Sequence, residues 1–304
     1  MSGIMAKERL IDDKTVALLE SRDLNIRGLT EGLFGGNRRS EYYGVSMEFA
    51  DYRPYIPGDD PRRIDWNLYG RTDKLYLKMF TDERRQHHRI YIDGSASMAW
   101  GKPEKHLTAL RLAALLGDLA VSGSDRVSWY ALEREECRRV TDAVSNRESW
   151  VLALDKLENL NCGGDTMMDV SVPRCPDPGF RDGISFLISD FLTDRDWKSA
   201  VDWFLSRERE VCLIRVLSPD ETAPEIRGKL WLNDIEAAGE DDERNFRMHI
   251  GKQRLRAYAE ACTWLENDIR SFCDVRQVRF FTCRTDEPVA QILFDGAIRS
   301  EMVR

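Results

Sequence analysis

From about residue 88 onward, short apolar runs alternate with longer segments in which apolar side chains recur every three or four positions. The runs at 88–93, 126–132, 184–189, 211–217 and 275–282 predict strands, and 136–140 predicts a short strand that pairs with 126–132 as a hairpin. Helices are predicted over 104–122, 147–157, 196–207, 247–272 and 288–298. The first opens at Pro103 and closes at Gly123, and Leu107, Leu110, Ala114, Leu115 and Leu119 make it apolar enough to be largely buried. Strands that are apolar on both faces need cover on both faces. The rhythm therefore predicts an α/β domain over 88–300, with a doubly wound, mostly parallel sheet and helices on each side.

The chain before residue 88 has another texture. Residues 40–88 interleave Tyr42, Tyr43, Phe49, Tyr52, Tyr55, Trp66, Tyr69, Tyr76 and Phe80 with Arg, Asp and Gly. A turn cluster, Tyr55-Ile56-Pro57-Gly58-Asp59-Asp60-Pro61, is followed by a strand candidate at 75–80. Few helix signals occur, so 38–87 is expected to form a small β-rich unit. Ahead of it, 1–37 is expected to hold a short amphipathic helix at 7–20 and a glycine-bearing loop at 32–37.

Composition narrows the possible roles. Apolar residues make up 42%, enough for a full core, and charged residues 32%, which implies a well-solvated surface. The net charge of −8 is uneven: the first 89 residues carry 16 Lys and Arg against 15 Asp and Glu, leaving 29 against 38 for the rest. That balance argues against a nucleic-acid binder acting through a basic field. The seven cysteines form no Cys-x-x-Cys pair, so the usual zinc and haem spacings are missing, and a reducing compartment is expected. Cys212 and Cys283 fall in apolar runs and are expected to be buried thiols. No stretch approaches the roughly 20 apolar residues that span a bilayer. The first residues lack a signal-peptide pattern, so a cytoplasmic chain without a transmembrane segment is expected.

In an open parallel sheet, ligands bind beyond the carboxyl ends of the strands, where strand order reverses. What each strand ends in is therefore informative. The strand at 88–93 ends in Asp93-Gly94-Ser95-Ala96-Ser97, and that at 184–189 ends in Ser189-Asp190. Between them lies the loop Cys162-Gly163-Gly164-Asp165-Thr166. The carboxylates of Asp93 and Asp190 and the hydroxyls of Ser95, Ser97 and Thr166 are hard oxygen donors, suited to Mg²⁺, or to Mn²⁺ or Ca²⁺, rather than to zinc. The two acids roughly neutralise a divalent ion, and the hydroxyls bind it without adding charge. An open position then remains for a carboxylate from outside. Either Asp165 or Thr166 can present the third loop's ligand. Taken singly, Ser95, Ser97 and Asp190 read as helix caps; their joint order along three loops is what points to a cation.

The set Asp93-x-Ser95-x-Ser97, Gly163-Gly164-x-Thr166 and Ser189-Asp190 resembles the metal-ion-dependent adhesion site of von Willebrand factor A-like domains. The stretch from Met47 through Asp51-Tyr52-Arg53-Pro54-Tyr55-Ile56-Pro57-Gly58-Asp59-Asp60-Pro61-Arg62-Arg63-Ile64-Asp65-Trp66-Asn67, with Arg71 and Leu75, is similar to the leading motif of the bacterial and archaeal family called domain of unknown function 58. Gly44, the segment 123–127, Ser189-Asp190-Phe191 and Leu217-Ser218-Pro219-Asp220-Glu221 fit the same family, and the likeness covers roughly 38–295. The resemblance implies a von Willebrand A-like (Rossmann-like) domain after the β-rich unit, with Asp93, Ser95, Ser97, Thr166 and Asp190 as metal ligands. It also implies a MoxR-type AAA+ ATPase as partner, in chaperone-like assembly or maturation of a client protein. One departure stands out: the family's acid just after the threonine is replaced by Met167, while Asp165 precedes it.

The expected role is thus a non-enzymatic protein-interaction module. The rival is a metal-dependent hydrolase or phosphoryl-transfer enzyme using Asp93 and Asp190. It lacks a second strand-end Asp, since Ser95 fills that place, and it lacks a well-placed lysine. The Glu48–Arg71 cluster is expected to be a buried salt-bridge and aromatic network, with Trp66 in a core, that fastens the small β-rich unit to the main domain; a binding surface for the ATPase partner is its functional alternative. His87 and His88 are expected to be solvated at a strand start. The segment 101–105 is no phosphate loop, and Asp234 and Glu236 lead into an acidic run at 240–243 that reads as a solvated loop.

Overall fold

The computed structural model describes residues 10–11, 48–57, 59–81, 85–102, 104–224, 228–232 and 246–293. The chain packs as two units, residues 35–85 and the remainder.

In the smaller unit, β1 (Glu48–Pro54) pairs antiparallel with the later strand Tyr76–Thr81, and the register slips between Phe49 and Asp51. Between these strands lie a 3₁₀ turn at Pro61–Arg63 and an unexpected helix, α1 (Trp66–Thr72). Asp65 starts this helix by accepting from the backbone N–H groups of Asn67 and Leu68, and Asp73 ends it in the left-handed region at φ 54°. Trp66 is not core: it is 61% exposed and meets Tyr69 edge-on at 6.1 Å. Within this unit, part-exposed polar contacts brace the turns. Arg53 donates to Asp59 at 2.7 Å, and the Tyr52 hydroxyl donates to Asp65 at 2.8 Å. The strand Tyr76–Thr81 is β2, close to the expected 75–80.

The larger unit is built on a six-stranded sheet. Its elements are β3 (His87–Asp93), α2 (Lys105–Ser122), β4 (Arg126–Glu133), β5 (Glu136–Arg139), α3 (Arg147–Glu158), β6 (Ile184–Ser189), α4 (Trp197–Ser206) and β7 (Glu210–Leu217). A hairpin of β8 (Gly228–Leu232) and β9 (Phe246–Ile250) then leads to α5 (Lys252–Arg276) and β10 (Arg279–Arg284). The sheet order is β10-β7-β6-β3-β4-β5, parallel throughout except for the β4–β5 hairpin at one edge. This is the expected doubly wound α/β architecture.

The two faces of the sheet explain why its strands are apolar throughout. Ile90, Ile92, Val127, Trp129, Ile188 and Ile214 pack with α2, α3 and the helical residues 289–293, and Leu10 and Ile11 join this core. Tyr91, Tyr130, Leu187 and Leu213 face the other way, onto Phe204 of α4 and Ile269 and Phe272 of α5. Two buried tryptophans are locked to α2, since Trp129 Nε1 donates to the Ala113 carbonyl at 2.9 Å and Trp150 Nε1 to that of Ala114 at 3.2 Å. Cys212 and Cys283 are buried and free, as expected.

Several expectations need correction. The segment 247–250 belongs to a strand, and the helix that follows continues to Arg276, so the last strand begins at Arg279 rather than at 275. Only Ile269, Phe272 and Cys273 of α5 are buried. His87 and His88 are buried rather than solvated. His87 Nε2 meets Ser128 Oγ at 2.9 Å, and His88 accepts from Ile184 N–H through Nδ1 and meets Asp125 through Nε2. Most of the expected helix at 7–20, the loop at 32–37, Asp234, Glu236, the acidic run 240–243 and the end of the last helix lie outside the described residues. No helix among the described residues is long and apolar enough to cross a membrane.

Candidate cation site

The chain leaves β3 through α2 toward β4, and it returns on the other side of β3 as β6. Strand order therefore reverses between β3 and β6. Asp93 ends one of these strands, and Asp190 directly follows the other.

Backbone contacts bring the three predicted loops together. Gly94 N–H donates to the Leu132 carbonyl at 2.9 Å, Ala96 N–H to that of Gly164 at 2.8 Å, and Gly163 N–H to that of Gly94 at 2.8 Å. A side chain at 94 does not fit this weave, because a Cβ there would lie 2.8 Å from the Leu132 carbonyl oxygen. Met167 N–H donates to the Arg134 carbonyl, which pins the third loop to the end of β4. As a result Thr166 is buried and within hydrogen-bonding reach of Asp93, while Asp165 points outward beside Arg195, 3.8 Å away. Thr166, not Asp165, is the third loop's inward group.

Asp93, Ser95, Ser97, Thr166 and Asp190 are all buried. Asp93 accepts from Ser95 N–H at 2.9 Å on one oxygen and from the Ser189 hydroxyl at 2.6 Å on the other. Ser189 Oγ in turn accepts from Phe191 N–H, so this hydroxyl is committed to orienting the carboxylate. Ser95 precedes the 3₁₀ turn Ala96–Ala99 but makes no cap bond; its Oγ contacts Ser97 Oγ at 3.0 Å. Thr166 Oγ1 reaches the Leu132 carbonyl only at 3.4 Å. The helix α4 is capped by Asp196, which leaves Asp190 free of that duty.

The feature that sequence reasoning missed is Lys105. It is 0% exposed, and its ammonium donates to Asp190 Oδ2 at 2.6 Å and to Glu221 Oε1 at 2.5 Å. Asp190 Oδ1 accepts from Leu192 N–H, and Glu221 Oε2 from Ser218 N–H, each at 2.9 Å. Lys105 thus ties the first turn of α2 to the ends of β6 and β7. Arg215 is also buried, and its Nε donates to the Asp190 carbonyl at 3.2 Å.

The electrostatics follow from this layout. Burial, and secondarily the negative charge of Asp190, raise the Asp93 carboxyl above its ordinary range, against the pull of hydrogen bonds from Ser189, Ser95 and Thr166. The same field reaches Cys162, whose thiol is pushed up to about 12 by burial and then by Asp93 and Asp190. Cys162 lies 2.8 Å from His106 Nδ1, and His106 Nε2 meets the Leu160 carbonyl at 2.9 Å. Burial pushes the imidazole down while the thiol is pushed up. A neutral thiol donating to a neutral ring is therefore the stable arrangement, not an ion-paired nucleophile.

The residues present fit a hard cation. Asp93 retains lone pairs beyond the hydrogen bonds it accepts from Ser95, Ser189 and Thr166, and among the described residues the Ser95 and Ser97 hydroxyls contact each other rather than a backbone group. Among the described residues no cluster of three His, Cys, Asp or Glu could hold a metal by itself. A cation at this edge would accordingly depend on the hydroxyls together with Asp93.

The family described as "Protein of unknown function DUF58" matches residues 51–264, more than half of the chain. Over 238 residues the chain is 26% identical to the "Uncharacterized protein Rv1480" of Mycobacterium tuberculosis (strain ATCC 25618 / H37Rv), covering 77% of this chain and 74% of that one. The "Uncharacterized protein Mb1516" of Mycobacterium bovis gives the same figures. Among solved structures, a von Willebrand factor type A protein from Catenulispora acidiphila aligns with a TM-score of 0.40 and 14% identity, over 87% of this chain and 52% of that one. The chain thus spans about half the length of that protein. The SpRpn10 VWA domain aligns with a TM-score of 0.37 and 8% identity, over 70% of this chain and 95% of that one.

Proposed function

We propose that this chain, which belongs to the family described as "Protein of unknown function DUF58", is a non-enzymatic protein-interaction module that binds an acidic residue of its partner through a divalent cation. The observation that carries the reading is the buried cluster of Asp93, Ser95, Ser97 and Thr166 at the switch point, with a carboxyl raised by burial and hydroxyls that cap nothing. Asp93 and the three hydroxyls would hold Mg²⁺ or Mn²⁺, and Asp190 would add negative charge from the adjoining strand end. The ion supplies a Lewis-acidic position that an outside Asp or Glu can fill.

The chain's own residues do the rest. Ser189 and the Ser95 N–H fix the Asp93 carboxylate, and the Gly94–Leu132 and Gly163–Gly94 bonds hold the loops in register. Lys105 is fully engaged by two carboxylates, so it is not poised to receive a substrate phosphate, and Ser95 stands where phosphoryl-transfer chemistry would need a second acid. From the family resemblance, the partner proposed is a MoxR-type AAA+ ATPase acting on a client protein.

The test is capture of the purified ATPase on immobilised chain, with Mg²⁺ or with chelator, alongside Asp93→Ala. The reading expects capture in Mg²⁺ that is lost in chelator and in a variant whose unfolding curve shows it is folded. Capture that is equal in all three contradicts it.

A further inference from the structure

The ammonium of Lys105 lies wholly inside the protein, and one of its two carboxylate partners is a residue that the donor pattern places at the cation. We infer that Lys105 is a positioning residue: it holds Asp190 out of direct contact with the cation and leaves Asp93, Ser95, Ser97 and Thr166 as the direct ligands. This rests on the cation reading of the site.

The argument runs from geometry and charge. Both oxygens of Asp190 are engaged, Oδ1 by Leu192 N–H at 2.9 Å and Oδ2 by Lys105 Nζ at 2.6 Å. To reach a metal, Asp190 would have to loosen a buried ion pair, and losing the partner of a buried charge is far more unfavourable than losing an exposed one. Asp93 is in the opposite condition, since the groups that donate to it, Ser95 N–H and the Ser189 and Thr166 hydroxyls, are all neutral. Lys105 is held away from solvent, because it opens α2 beneath the ends of β6 and β7 and its second partner, Glu221, is itself fixed by the Ser218 N–H at 2.9 Å. Of the three buried acids at this edge, Asp190 and Glu221 share the Lys105 ammonium, and Asp93 alone accepts from no cationic side chain. A cation held by one carboxylate and three neutral hydroxyls keeps more of its charge for a partner's carboxylate than one held by two.

The experiment is a titration of the full chain with Mn²⁺ alone, with the number of water molecules left on the bound ion read from water-proton relaxation. In Lys105→Gln, Asp190 is released to the cation. Binding is expected to tighten by about tenfold or more, since a nearby positive charge is removed in a medium of low dielectric, and the bound ion should lose one water. Adding Asp190→Asn to Lys105→Gln should reverse both changes. Should Lys105→Gln not fold, Asp190→Asn alone decides: the inference expects the water count on Mn²⁺ to equal the wild-type count. A gain of one water in Asp190→Asn, or unchanged affinity and water count in a folded Lys105→Gln, overturns the inference and leaves the cation reading intact. No Mn²⁺ binding by either the wild type or Lys105→Gln overturns the cation reading and this inference with it.

Discussion

Two glycines of the same loop contact allow a controlled perturbation. Gly163 N–H donates to the Gly94 carbonyl at 2.8 Å, but their surroundings differ. A Cβ at 94 would sit 2.8 Å from the Leu132 carbonyl oxygen and 3.3 Å from Glu133 Cγ, whereas a Cβ at 163 would meet nothing within 4 Å. Ordinary contact begins near 3.4 Å, so Gly94→Ala requires the ends of β3 and β4 to part by roughly half an ångström. The Gly94–Leu132 hydrogen bond, now 2.9 Å, would then stretch to the margin of bonding. Losing one backbone hydrogen bond costs about 0.5–1.5 kcal/mol, and forcing a shift in packed strands adds about 1–3 kcal/mol. Alanine narrows the unfolded ensemble, which offsets at most about 1 kcal/mol. Net destabilisation of about 0.5–4.5 kcal/mol is expected for Gly94→Ala and almost none for Gly163→Ala. Urea unfolding followed by circular dichroism measures both. If the two variants unfold at the same midpoint, the claim that close backbone approach holds these loops is refuted.

Further consequences are as direct. Gly117→Ala should destabilise despite the better helix former, because its Cβ would lie 2.2 Å from the Trp129 ring; the helix gain of about 1 kcal/mol is smaller than the packing loss, and a raised melting temperature would contradict this. Lys105→Ala leaves Asp190 and Glu221 buried without their cation; a loss of about 3–5 kcal/mol is expected in denaturant unfolding, and a loss below about 1 kcal/mol would argue that these acids are not buried as described. His87 is pushed down to about 3 by burial and then by Arg89 and Arg126. The unfolded chain therefore takes up its proton near pH 6.5 while the folded chain does not, so stability is lost as pH falls from 6.5 toward 3. The stability difference between wild type and His87→Gln should shrink by about 1.4 kcal/mol per pH unit through that window, and a difference independent of pH would show that His87 is solvated after all.

The larger unit was legible because its strands are apolar on both faces and its helices carry clear stops, which together fix a doubly wound sheet. The convergence of the Asp93, Thr166 and Asp190 loops followed from strand-end logic, since a parallel sheet has one edge where such loops can meet. Lys105 was not legible. A lysine in a first helical turn ordinarily faces water, and only the packing of α2 under the ends of β6 and β7 turns it inward. Helix α1 was hidden by its aromatics and by Gly70, although Asp65-Trp66-Asn67-Leu68 carries a cap signal in plain view. The β8–β9 hairpin left a readable trace in the alternation of Leu230 with Leu232 and of Phe246, Met248 and Ile250. That alternation was overridden by the helical periodicity of the residues that follow. His87 and His88 were misplaced because their partners Ser128, Asp125 and Ile184 come from distant strands.

The central claim is that Asp93 and its neighbouring hydroxyls bind a divalent cation. Calorimetric titration of chelator-treated protein with Mg²⁺ and Mn²⁺, with Asp93→Ala as the control, tests it most directly. The account predicts saturable binding at one site in the wild type and none in a folded Asp93→Ala. Binding that survives in Asp93→Ala, or a wild type that takes up neither ion even with a partner carboxylate supplied, would contradict it.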